Sequence, residues 1–166
     1  GREELTYLDS VLDALSRAET ENDLEQLRAE LAEQGYLRLL RRKGKPPKSL
    51  PPMEFTASDG TRILVGRNNR QNDQLTLKTA NKNDIWLHTQ NIHGSHVILE
   101  TGGREPSQQV LEEAAQLAAY HSKARDSAQV PVDYCAVRYV KKPAGAKPGM
   151  VIFTNQHTLY VKPEQR

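Results

Sequence analysis

The chain has 166 residues and a mass of 18.7 kDa, with 37% hydrophobic and 27% charged residues, enough for one medium domain and a small appendage but not for two full domains. Its longest apolar runs, such as Val97 to Leu99 and Met150 to Phe153, fall far short of the roughly 20 residues that cross a bilayer, and no signal-peptide core opens it. One cysteine, Cys135, excludes an intramolecular disulfide and any zinc site built on paired cysteines, and fits a reducing compartment; a first residue Gly1 reads as a piece of something longer.

The near-neutral total divides along the chain. Gly1 to Gly35 carries 3 Lys and Arg against 10 Asp and Glu, net −7, whereas Tyr36 to Arg166 carries 20 against 11, net +9. An acidic head on a basic body points the body towards a polyanion. In the head (1–35), Leu5, Leu8, Leu12 and Leu15 recur at helical spacing, and a second helix is expected from Asn22, capped with the help of Glu25 and carrying Leu24, Leu27 and Leu31 before Gly35 stops it. Such narrow seams bury too little to hold alone. The head is therefore read as the end of a longer coiled coil or as a unit docked on the body, with a local two-helix cap as the plainer alternative.

Residues 36–52 read as a basic, proline-rich linker. Arg38, Arg41, Arg42, Lys43, Lys45 and Lys48 occur there without one acid, and Pro46, Pro47, Pro51 and Pro52 favour extended backbone. Phosphate contact and a merely solvated linker both fit this segment.

The body (53–166) starts near Met53. Phe55 to Ala57 and Thr61 to Val65 flank Ser58-Asp59-Gly60, a turn triplet suited to a hairpin. Asn68 to Ala80, with Leu75 and Leu77 but few other apolar residues, predicts a polar helix. Asp84 to Thr89 and Ser95 to Thr101 predict strands. Ser107 to Lys123 predicts the main helix, capped by Ser107, with Val110, Leu111, Ala114, Leu117, Ala118 and Tyr120 on its buried stripe. Val132 to Val140, Met150 to Phe153 and His157 to Val161 add strands, the last after a turn at Asn155. Strands, one dominant helix and more strands make an α+β fold with a mixed sheet and one main packing helix, preceded by the short helical head.

The densest polar stretch, Asn83 to His88 and Asn91 to His96, holds His88, His93 and His96. Their spacing matches neither the paired-His helix motif nor a zinc finger, so no metal or other cofactor is expected. Pairing of His88 with Asp84 is disfavoured, because residues four apart on a strand lie about 13 Å apart. Hydrogen-bonded structural roles are the default for His88 and His96. Trp86, the sole tryptophan, is read as core or as a stacking surface for a base or ribose. Ser95 has no nucleophile elbow and Cys135 no catalytic signature, so neither is read as catalytic. Lys141, Lys142 and Lys147 sit on a Gly/Pro loop ending at Gly149 that suits phosphate contact, although the Walker ending is absent. With Arg67, Asn68, Asn69 and Arg70 they form one basic surface if the two segments adjoin; the alternative is an ordinary exposed connection.

Ser58-Asp59-Gly60, Val65-Gly66-Arg67-Asn68-Asn69, Asn83 to His88, Gly94-Ser95-His96-Val97 and Lys141 to Gly149 together resemble, in order and spacing, the NFACT-R domain of the RqcH and NEMF-like ribosome quality-control family, earlier labelled fibronectin-binding. The head resembles the distal return of that family's middle coiled coil. The resemblance implies an RNA-contacting module and not an enzyme, cytoplasmic and not membrane-bound. Its partners would be the obstructed large (50S) ribosomal subunit with peptidyl-tRNA, ribosomal RNA, and the tRNA recruited for untemplated alanine tailing. The family's amino-terminal domains would be further partners. Backbone contacts are then expected from Arg67, Arg70, Lys141, Lys142 and Lys147, with Asn69, Trp86, His88, His93 and His96 as further RNA-binding candidates. A fibronectin-binding surface adhesin and, more remotely, a hydrolase using His88, His93 or His96 are the competing readings.

Overall fold

A computed structural model describes residues 1–35 and 50–165; the basic run Arg38 to Lys48, with most of the expected linker, lies outside the described residues. Two helices open the chain, α1 (Arg2–Arg17) and α2 (Glu21–Glu33). The cap of α2 is Thr20, whose hydroxyl accepts from Asp23 N at 3.0 Å, and not Asn22 as expected. A hydroxyl satisfies an unpaired first-turn N–H, and the acids Glu21 and Asp23 then sit at the positive end of the helix, whereas Asn22 lies already inside the first turn. Gly35 adopts φ +81°, the left-handed turn that ends this unit.

The head docks on the body, one of the alternatives left open by the leucine spacing. It does so through Tyr7, Val11 and Leu27, with Met150 of the body packed against them, while Leu5, Leu12, Leu15 and Leu24 remain exposed. Tyr7 can be buried because its hydroxyl donates to the fully buried Glu30.

The body is built on one six-stranded sheet in the order β1-β2-β4-β3-β5-β8. Its strands are β1 (Met53–Thr56), β2 (Arg62–Val65), β3 (Ile85–Thr89), β4 (Val97–Leu99), β5 (Val130–Ala136) and β8 (His157–Val161), every neighbouring pair antiparallel. The fold is α+β, as expected. The β1–β2 hairpin turns where Asp59 Oδ1 accepts from Thr61 N at 2.9 Å and Gly60 takes φ +90°.

Alternation along the strands produces two cores. On one face Ile63, Val65, Leu87, Val97 and Leu99 meet α4 (Gln108–Tyr120), whose Ala114, Ala115, Ala118 and Ala119 are fully buried. Small side chains let this helix lie close on the sheet. Ser107 Oγ caps α4 by accepting from Val110 N at 3.2 Å. On the other face Leu64, Trp86, Ile98 and Cys135 pack against Leu75 of a π-helix (Gln74–Thr79) and against the small β6–β7 pair, β6 (Val140–Lys141) and β7 (Ile152–Phe153). The expected polar helix over Asn68 to Ala80 is thus real but composite, α3 (Asn69–Asp73) running into that π-turn. This second face is where the head docks and where the polar residues gather.

Candidate functional site

Two distant segments of the body meet at Asp73. Its carboxylate lies 3.0 Å from Lys142 Nζ and also accepts from Gly149 N at 3.0 Å, so the Lys141 to Gly149 loop is anchored on the end of α3. Gly149, at φ +81°, approaches so closely that a side chain there would meet Asn69 Oδ1 at 2.5 Å. The segments carrying Arg67 to Arg70 and Lys141 to Lys147 therefore adjoin, as one basic surface requires. Burial raises the pKa of Asp73 from its ordinary value, with Lys142 and the Gly149 amide opposing.

The cations on this surface are not equally available. Arg70 Nη2 lies 3.0 Å from Glu33 Oε1 of α2. Lys142 is partly buried against Asp73 and also donates to the Lys147 carbonyl. Lys147 reaches Gln34 Oε1 at 3.4 Å and sits over the Tyr7 ring at 5.7 Å. Lys141 is exposed with no ion pair among the described residues. Arg67 uses Nε to donate to the Pro51 carbonyl at 2.8 Å.

Asn69 points into the head: its Nδ2 donates to Ser10 Oγ at 3.1 Å and to Glu30 Oε2 at 3.2 Å. Burial raises the pKa of Glu30, against the lowering influence of Tyr7 and Asn69. Arg17 completes the junction from the other side, donating Nη1 to the His121 carbonyl at 2.9 Å while Nη2 holds Asp13 at 2.9 Å. None of these head-to-body links was read from the sequence. An Asn, a buried Glu and a backbone carbonyl carry no periodic signal.

Between head and body lies a cavity of about 130 Å³ whose lining brings together Arg67, Asn69, Trp86, His88, His93 and His96. Trp86 is 1% exposed, so it is core here and presents no open stacking face. Its indole lies parallel to the His88 ring at 5.7 Å and close to Phe153 at 4.7 Å. His96 is a satisfied structural histidine. Its Nε2 lies 3.1 Å from the Gly149 carbonyl, which only accepts, so Nε2 carries the proton and Nδ1 accepts from Thr76 Oγ1 at 2.8 Å. Burial drives its pKa down to about 3, keeping it neutral. Burial also lowers the pKa of His88, with backbone hydrogen bonding at Thr89 and Gly94 opposing. Asp84 is committed elsewhere, accepting from Gly102 N and Asn81 N, so it does not pair with His88. Cys135 is buried and its thiol is pushed up to about 11, unsuited to nucleophilic attack.

Residues 52–155 match the family described as NFACT protein RNA binding domain. The chain is 48% identical over 166 residues to the Rqc2 homolog RqcH of Bacillus subtilis, and 44% identical over 162 residues to that of Streptococcus suis. The matches cover 98% and 97% of this chain but 29% of each relative, so the chain spans about three-tenths of their length. Among solved structures, the C-terminal part of the fibronectin/fibrinogen-binding protein from Streptococcus suis aligns with a TM-score of 0.92 at 43% identity, covering 99% of this chain and 65% of that one.

Proposed function

This chain belongs to the NFACT RNA-binding domain family, and from that premise we propose that it is the RNA-backbone-binding piece of a ribosome quality-control factor. In this reading the body, residues 53–166, contacts ribose-phosphate of tRNA or ribosomal RNA, the linker 36–52 adds its cations, and the head belongs to a longer coiled coil. The adjoining of the Arg67 to Arg70 and Lys141 to Lys147 segments through Asp73 and Gly149 is the observation that supports it. Arg67 and Lys141 are the leading contacts. Asn69, Arg70, Lys142 and Lys147 touch RNA only where they leave their present partners, and His88, His93, His96 and Trp86 line the adjoining cavity.

Within the whole factor, this piece would help hold the obstructed 50S subunit with its peptidyl-tRNA and the tRNA that feeds alanine tailing, in the cytoplasm, with the ribosome supplying the chemistry. No helix among the described residues is long and apolar enough to cross a membrane. A second reading follows from the fibronectin/fibrinogen-binding description of the Streptococcus suis protein. Filter binding to tRNA at two salt concentrations, run beside immobilised fibronectin, separates the two. Salt-dependent retention of tRNA supports the RNA reading, and fibronectin capture with no tRNA retained at low salt overturns it.

A further inference from the structure

The cavity between head and body is lined by hydrogen-bond donors that the fold leaves unmatched. Trp86 is 1% exposed, yet its Nε1–H has no partner among the described residues. A buried N–H in that state calls for an acceptor. Arg67 engages the chain only through Nε and the backbone N–H, so its Nη1 and Nη2 have no partner among the described residues. Asn68 accepts through Oδ1 from Gln71 N at 2.9 Å, capping α3 and leaving its Nδ2 to donate. All three residues line the cavity, and no Asp or Glu does. Met150, Val151 and Phe153 supply apolar wall, which strengthens any charge interaction inside.

The cationic character of the region shows on a neighbour: His121 is pulled down to about 4, by burial first and then by Arg17, Arg125 and Arg67. Donors without matching acceptors, beside an arginine and with no carboxylate in the lining, select a ligand that only accepts and carries negative charge. A volume of about 130 Å³ holds several water-sized groups, enough for a tetrahedral anion.

We propose that this cavity is an oxyanion site that takes a phosphate group, with Trp86 Nε1, the Arg67 guanidinium and the Asn68 amide as its donors. The phosphate comes from an RNA strand or from free phosphate. The first source rests on the RNA reading above; the second does not.

Trp86 is the only tryptophan, so its indole N–H gives one resolved proton–nitrogen NMR signal. The protein is titrated with inorganic phosphate, with chloride at matched ionic strength, and with a short oligoribonucleotide. The proposal expects a saturable downfield shift of the Trp86 signal with phosphate or the strand and none with chloride. Asn68→Asp keeps an acceptor for the cap but turns the donor amide into a carboxylate, and abolishes the shift; Arg67→Gln weakens binding about tenfold. Backbone amide spectra show that each variant is folded. Saturation by free phosphate identifies a small-anion site, and saturation by the strand alone identifies RNA as the source. A Trp86 signal that moves with neither ligand, or moves equally in Asn68→Asp, overturns the site. Retention of RNA on filters is scored separately, so loss of one result leaves the other standing.

Discussion

Arg70 of the body and Glu33 of the head face each other at 3.0 Å, so one of the cations expected to meet a phosphate is paired inside the chain. Both side chains are well exposed, at 42% and 56%, and such a pair contributes no more than about 1 kcal/mol. An RNA phosphate, itself a strong bidentate acceptor for arginine, competes with it on equal terms.

Glu33→Gln is therefore expected to raise RNA affinity about two- to threefold while leaving the melting temperature within error of the parent. Filter binding and thermal melting read the two quantities. A lower affinity in this variant would show that Glu33 orders Arg70 for RNA instead of competing for it.

The two neighbouring lysines are predicted to separate. Lys141 is exposed, so Lys141→Glu weakens RNA binding and flattens its salt dependence by roughly one phosphate equivalent without loss of fold. Lys142→Glu instead sets a carboxylate against the half-buried Asp73, whose protonation is already favoured by burial, and destabilises the loop by about 1 to 3 kcal/mol. Urea denaturation of the two variants checks the split; equal stability would place Lys142 outside the structural role given to it here.

Acid should destabilise the body through its neutral histidines. His96 titrates at 6.5 when free and near 3 when folded, and burial brings His121 to about 4. Below pH 6.5 the unfolded chain takes up protons that the native chain refuses, so stability falls as pH drops from 6.5 towards 3. Melting temperatures across that range should decline, and His96→Gln should decline less steeply than the parent. A flat profile would mean that His96 is protonated in the fold, contrary to the neutral ring whose Nδ1 accepts from Thr76 Oγ1.

Gly66 tests the packing beneath the site. A Cβ there would stand 1.8 Å from Asn72 Oδ1, and Asn72 is held because that oxygen accepts from His96 N at 3.1 Å. Gly66→Ala is expected to cost about 2 to 4 kcal/mol, read by denaturant unfolding. A neutral result would show that Asn72 moves freely.

What the sequence reveals here follows from period. The apolar runs Ile63 to Val65 and Ile85 to Leu87, the alanine-rich stripe of α4 and the Ser58 to Gly60 turn are local patterns, and each appears where it is read. Leucine spacing announces the α1 helix but not its buried face. That face is chosen by the long-range partners Tyr7, Glu30 and Asn69, whose positions in the chain lie far apart. The same holds for Glu113, a buried acid of α4 that accepts from Ser58 N at 3.0 Å and ties the helix to the hairpin turn. The candidate site is legible as residue types, basic and histidine-rich. That Arg67 is open while Arg70 and Lys142 are engaged depends on carboxylates from other elements.

The most direct test of the RNA reading is the salt dependence of tRNA binding, compared between the parent chain and the double variant Arg67→Gln, Lys141→Gln. Affinity is expected to fall with salt in both, with the slope of log K against log salt shallower in the double variant by roughly 1.4 to 1.8. An unchanged slope and affinity in the double variant would contradict that reading.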